Sequence, residues 1–217
     1  MKISVIMASF CGVLPGRQPR KNMDKKLIRA VNSFLKQTHE DKELIIVSDG
    51  CEITNKVYEE NWLTEPSVKL FRSPKMATYA GGIRDIGMKM AENSDIFCFL
   101  DNDDVLGKNH LQTINDQFDF DKNDWVYYDD YLLLDPSFTK FERRNVETRY
   151  GSVGTSSISL INFHKYKDRF NGVKPLFPDG YGHDFLFMMK LASAGGKFKK
   201  LEKAPTYIVC HYGNVDL

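Results

Sequence analysis

Ile96-Phe97-Cys98-Phe99-Leu100-Asp101-Asn102-Asp103-Asp104 is the stretch that decides the fold. Five apolar residues in a row suit a central parallel strand covered on both faces, and acids at a strand's carboxyl end stand where open α/β sheets hold their ligands. Three aspartates within four residues repel one another. A hard divalent cation, Mg2+ or Mn2+, is the simplest compensation, because carboxylate oxygens suit it and substrate phosphates complete its shell. Asp104 by itself reads more simply as a turn or helix-capping residue.

Around this stretch the chain alternates short β-branched runs with helical patterns, the signature of βαβ units and a parallel sheet. Strands are expected at Lys2 to Ala8, Glu43 to Ser48 and Val68 to Phe71, with helices at Asp24 to Gln37, Glu52 to Trp62 and Thr78 to Asn93. Gly81, Gly82 and Gly87 weaken the last of these, so close packing or a ligand is expected beside it. Phe10 to Met23 is longer than an ordinary βα connection, which marks a functional loop. The alternation ends near residue 120. A helix at His110 to Phe118, strands at Trp125 to Tyr128, Tyr131 to Leu134, Ser156 to Ile161 and Thr206 to Cys210, and a helix at Asp184 to Ala194 follow, while Lys140 to Arg149 carries no clear pattern. The chain therefore reads as one composite domain, a nucleotide-binding half over about 1–120 and a less regular acceptor and catalytic half over about 121–217.

Thirty basic against 29 acidic residues leave a net charge of +1, so charge balance points to neither nucleic acid nor an anionic membrane. No run approaches the roughly 18 apolar residues of a membrane span, and Met1 to Phe10 is too short for a signal peptide. Cys11, Cys51, Cys98 and Cys210 lack metal or redox spacing, which suits a reduced, cytoplasmic chain with buried thiols.

Three strands end in polar or aromatic groups, Ser9-Phe10, Asp49 and Asp101-Asn102-Asp103, and in a doubly wound sheet all three line one crevice. A ring to stack on a base, an acid to accept its hydrogen bonds and an acid pair to hold a metal against phosphates make a nucleotide-diphosphate site. Neither GxGxxG nor GxxxxGK[ST] is present, which argues against dinucleotide and P-loop chemistry.

Several segments in order carry a resemblance. They are Ser4-Val5-Ile6-Met7-Ala8-Ser9-Phe10, Ser33-Phe34-Leu35-Lys36-Gln37-Thr38, Glu43 to Gly50, Ile83-Arg84-Asp85-Ile86-Gly87, Phe99 to Asp104, and Gly182-His183-Asp184 ahead of a helix. With these the chain resembles the family 2 glycosyltransferases of GT-A fold over most of its length. The resemblance implies a single α/β domain, a Rossmann-like, mostly parallel sheet flanked by helices with a smaller mixed sheet behind. It also implies a metal-dependent, inverting transfer from a nucleotide-sugar donor, UDP-linked, to a carbohydrate, lipid-linked or protein acceptor, as in polysaccharide biosynthesis. Phe10 would pack on uracil with Ala8 and Ser9 beside it, Asp49 would read the base, and Arg84 would join the nucleotide site. Asp101 and Asn102 would face ribose and diphosphate, Asp103 would bind Mn2+ or Mg2+, and Asp184 would activate the acceptor. His211, after the final strand, would join the metal shell. Ser48-Asp49, Arg84-Asp85 and His183-Asp184 stand where the family more often has paired acids, Arg-Asn and a second acidic pair.

Other charged residues take plainer readings. Arg17, Arg20 and Lys21 read as a solvated basic loop, Arg143, Arg144 and Arg149 likewise, and Asp129-Asp130 as a strand end and turn that could also meet the sugar. His39, His110 and His164 read as surface or packing residues. Two other functions fit the same composition: a sugar nucleotidyltransferase, whose glycine-rich phosphate loop is absent here, and a non-catalytic nucleotide or sugar binder.

Overall fold

The computed structural model describes residues 1–13, 20–76, 79–180, 182–210 and the backbone of 211–212 and 215–216. In chain order the elements are β1 (Ile3–Ser9), α1 (Met23–Leu35), β2 (Lys42–Asp49), α2 (Glu52–Asn61), β3 (Val68–Ser73), α3 (Gly81–Met90), β4 (Ile96–Phe99), β5 (Val105–Leu106) and α4 (His110–Gln117). There follow β6 (Trp125–Tyr127), β7 (Asp130–Leu133), β8 (Phe141–Arg144), β9 (Ile158–Ile161), α5 (His183–Ser193), β10 (Phe198–Lys200), β11 (Tyr207–Val209), β12 (His211–Tyr212) and β13 (Val215–Asp216).

The large sheet runs β10-β6-β9-β4-β1-β2-β3, and only β9 opposes its neighbours. β1 and β4 sit in its middle with nearly every residue buried, which is why their apolar runs do not alternate. α1 covers the sheet with Met23, Leu27, Ala30, Val31 and Phe34, the three- and four-residue spacing of one helix face. A smaller mixed sheet, β5-β11-β7-β8, packs behind, and β12 pairs with β13.

The differences from the sequence reading have local causes. α1 begins one residue before Asp24, after Asn22 in a left-handed conformation; Asp24 makes no cap but lies in the first turn, where its charge suits the helix dipole. α3 is shorter than expected because Gly81 and Gly82 start it rather than interrupt it. Gly87 is required by packing, since a Cβ there would come within 2.5 Å of Ile6 Cγ2 on β1. The unassigned stretch holds β8, an exposed edge strand with no apolar face to betray it. No helix among the described residues is long and apolar enough to cross a membrane. All four cysteines are buried and free, and burial pushes the Cys98 and Cys210 thiols up to about 12.

Candidate active site

Parallel register makes the crevice. Ser9 stands opposite Ser48 on β2, and Ile6 opposite Phe99 on β4, so Phe10, Asp49 and the acid turn leave three adjacent strands on one edge. The expected base side is built around Asp49, which is buried. One carboxylate oxygen accepts the Met76 N–H at 2.7 Å and the other holds the Lys75 ammonium. That ammonium also lies over the Phe10 ring, 4.3 Å from its centroid. Gly50, with φ +59°, permits the approach, because a Cβ there would meet the Lys75 backbone nitrogen at 2.7 Å. Ala8 is half-buried against the core, as Phe10 is.

Beneath the expected ribose side, Asn102 donates to Ser9 Oγ at 3.2 Å and Ser9 Oγ pairs with Thr54 Oγ1 at 2.9 Å, which braces the ends of β1 and β4. The Cys11 N–H donates to Cys51 Sγ at 3.2 Å. Hydrogen bonding from Cys11 holds the Cys51 thiol down at about 4, while Cys11 is pushed up.

The acid turn is divided by partner. Asp101 accepts from Arg84 at 2.7 Å, and its N–H donates to Tyr207 OH at 3.0 Å. Asp103 accepts from Arg20 at 2.6 Å, and its carbonyl from Arg29 at 2.6 Å. Asp104 is structural: Tyr207 OH donates to it at 2.9 Å and the Cys210 N–H at 2.8 Å. Among the described residues no three His, Cys, Asp or Glu side chains come together as a cation cage. The chemistry of the donor set nonetheless fits a metal. Asp101 and Asp103 offer hard oxygens two residues apart, each already drawing a guanidinium as countercharge, and a diphosphate would complete the shell.

Asp184 is the second residue of α5, and the sequence around it dictates its setting. Gly182 precedes it with φ +83°, a turn that suits glycine, and the helix then presents Asp184 in its first turn. Thr155 Oγ1 donates to Asp184 Oδ1, which also lies 3.4 Å from an Arg84 nitrogen. The same Arg84 nitrogen lies 2.8 Å from His183 Nε2. His183 Nε2 also lies 3.2 Å from Asp184 Oδ1, and its Nδ1 faces the Gly180 carbonyl at 3.2 Å. Arg84 is thus the keystone, its side chain 6% exposed between Asp101 at 36% and Asp184 at 37%. Burial works against its charge, yet Asp101 and then Asp184 outweigh it and hold the guanidinium above its ordinary value.

The structure corrects several sequence readings. Arg20 is not simply solvated but pairs with Asp103. Arg143 and Arg144 pair with Asp129 and Asp130, and Asp130 also accepts from Ser157. These acids are buried and anchor β7 and β8, in keeping with the strand-end reading. His110 keeps the packing alternative of its reading: it is fully buried, and burial lowers it to about 3. Arg17 and the His211 side chain lie outside the described residues. Lys75, Thr155 and Tyr207 were missed by sequence reasoning: they reach the site from a loop, a short 3-10 turn and a strand, none with a motif of its own.

A model described as glycosyl transferase family 2 matches residues 19–195. The chain belongs to that family. A relative from Nostoc sp., described as an uncharacterized glycosyltransferase, is 31% identical over 118 residues, covering 54% of this chain and 33% of that protein. S. aureus TarS 1–349 in complex with UDP-GlcNAc superposes on all of this chain and 60% of its own, with a TM-score of 0.68 and 18% identity. Its complex with UDP covers 96% of this chain and 60% of its own, with a TM-score of 0.67 and 18% identity. These likenesses show that the fold is shared. The chain spans a third of the curated relative and 60% of the TarS chain.

Proposed function

We propose that the chain moves a sugar from a nucleotide-diphosphate donor, uridine-linked, to an acceptor hydroxyl with inversion, as a single unit in a cytoplasmic setting. The observation that carries this reading is the Arg84 bridge between Asp101, on the donor side, and Asp184, on the acceptor side. The UDP-GlcNAc and UDP of the TarS structures support the uridine-linked donor. Phe10 offers a stacking face and Asp49 an acceptor for the base. Asp184 takes the proton of the attacking hydroxyl. Thr155 and Arg84 both address its Oδ1, which fixes the carboxylate's orientation. Asp101 and Asp103 would hold Mg2+ or Mn2+, which when bound would stabilise charge on the departing diphosphate.

Two measurements test this reading. Asp184→Asn should keep UDP affinity by calorimetry yet slow transfer or donor hydrolysis on the order of 100- to 10,000-fold, the usual worth of a positioned base. Near-normal turnover would move the base elsewhere. Chelation should weaken UDP binding to the native chain, and Asp103→Asn should weaken it in the presence of metal; equal affinity with and without chelator would reject the metal.

A further inference from the structure

An open groove lies outside this crevice, between α1 and β5, with a volume of about 770 Å3. Lys25, Arg29, Lys36 and Lys108 line it and, among the described residues, no acid does, in a chain whose basic and acidic residues are otherwise balanced. Its floor is apolar and includes Ile28 and Phe138. Lys25 and Arg29 on α1 and Lys36 just past its end span roughly 16 Å at the helical rise, a stripe opposite the face that α1 buries.

A solvated basic helix face would need no apolar floor, and this one is held in place. Phe138 sits at φ +57°, a conformation that an aromatic residue rarely adopts and that costs stability. It places the ring under the Arg29 guanidinium, 5.1 Å from the centroid. Arg29 is itself fixed by its bond to the Asp103 carbonyl, and its Nε is buried with no acceptor among the described residues. Cations above an apolar trough match a ligand with an anionic head and a hydrocarbon stem, and lysine stems can themselves lie along such a chain.

We propose that the α1–β5 groove binds an anionic phospholipid at a membrane surface, its phosphate on Lys25, Lys36 and Lys108 and its acyl stem against Ile28 and Phe138. This site stands independently of the transfer reaction, and its loss leaves UDP binding in place. The test is co-sedimentation of the intact chain with vesicles of phosphatidic acid in phosphatidylcholine, against phosphatidylcholine alone. The chain should sediment only with the anionic vesicles. Lys25→Glu/Lys36→Glu/Lys108→Glu should lose affinity on the order of a hundredfold, from three lysines at an anionic surface, with UDP binding and melting temperature kept. Should that variant melt early, Lys36→Gln/Lys108→Gln should show an intermediate loss. Phe138→Ser should weaken vesicle binding severalfold at unchanged charge. Binding to neutral vesicles, or retention by a folded lysine variant, would overturn the proposal. So would displacement by inorganic phosphate at matched phosphate concentration, which would mark a free-anion site. Equal binding of polyglutamate with no effect of Phe138→Ser would also overturn it, since only an acidic polymer surface would remain.

Discussion

Lys75 shows how one side chain sets the state of a site. Its ammonium satisfies the buried Asp49 carboxylate and covers the Phe10 ring, the two groups that the proposed reading gives to the nucleobase. A base that stacks on Phe10 must displace it. The cost combines a cation–π contact of about 0.5–1 kcal/mol with a partly exposed ion pair of about 0–1 kcal/mol. Lys75→Met should therefore bind UDP several-fold more tightly by calorimetry. Weaker binding would instead show that the ammonium stays and contacts the nucleotide. Phe10 and Asp49 were legible in the sequence because each ends a strand whose apolar run announces it. Lys75 was not, since Asp49 is 26 positions away across the β2–β3 unit, Phe10 lies on a still more distant strand end, and no pattern within the loop reveals either.

At the scale of elements, what could be read followed burial. β1, β2, β4 and α1 declare themselves through apolar runs and helical spacing, whereas β8 is an edge strand held by Arg143–Asp129 and Arg144–Asp130 pairs that no periodicity encodes. The acid at the start of α5 was legible, but the tie that positions the segment before it was not. That tie is Asp85 on α3, which accepts the Phe177 N–H at 3.0 Å. Burial raises the Asp85 carboxyl to about 6. The unfolded chain ionises it near the ordinary value of about 3.9, so between these values the native state binds more protons. The stability that Asp85 contributes is accordingly full below the unfolded value and is lost as pH rises through about 6. Urea unfolding from about pH 4 to about pH 7 should show the wild-type chain losing stability relative to Asp85→Asn, whose amide oxygen still accepts from Phe177. Parallel curves would show that the carboxyl ionises as in water.

For the whole molecule, the decisive joint is between the two sheets. Tyr207 begins β11 in the smaller sheet, yet its hydroxyl accepts the Asp101 N–H and donates to Asp104 at the end of the central strand of the larger one. The Cys210 N–H adds a second tie to Asp104. The acid turn is thereby held from both sheets, while Arg84 holds it from α3 and reaches on to α5. Burial first, and then Asp104 and Asp101, keep the Tyr207 hydroxyl well above its ordinary value, so it remains a neutral donor and acceptor. Tyr207→Phe conserves the packed ring but removes one hydrogen bond from the Asp101 N–H and one from a buried Asp104 carboxylate oxygen. At about 0.5–3 kcal/mol per bond, the upper end for a charged acceptor, chemical denaturation should show a loss of that order. The two consequences should travel together, since Asp101 loses the bond that fixes its backbone. Transfer should fall with UDP affinity even at temperatures where the variant remains folded. A variant that is destabilised but transfers normally would show that the joint serves folding alone, and that Arg84 by itself suffices to place Asp101.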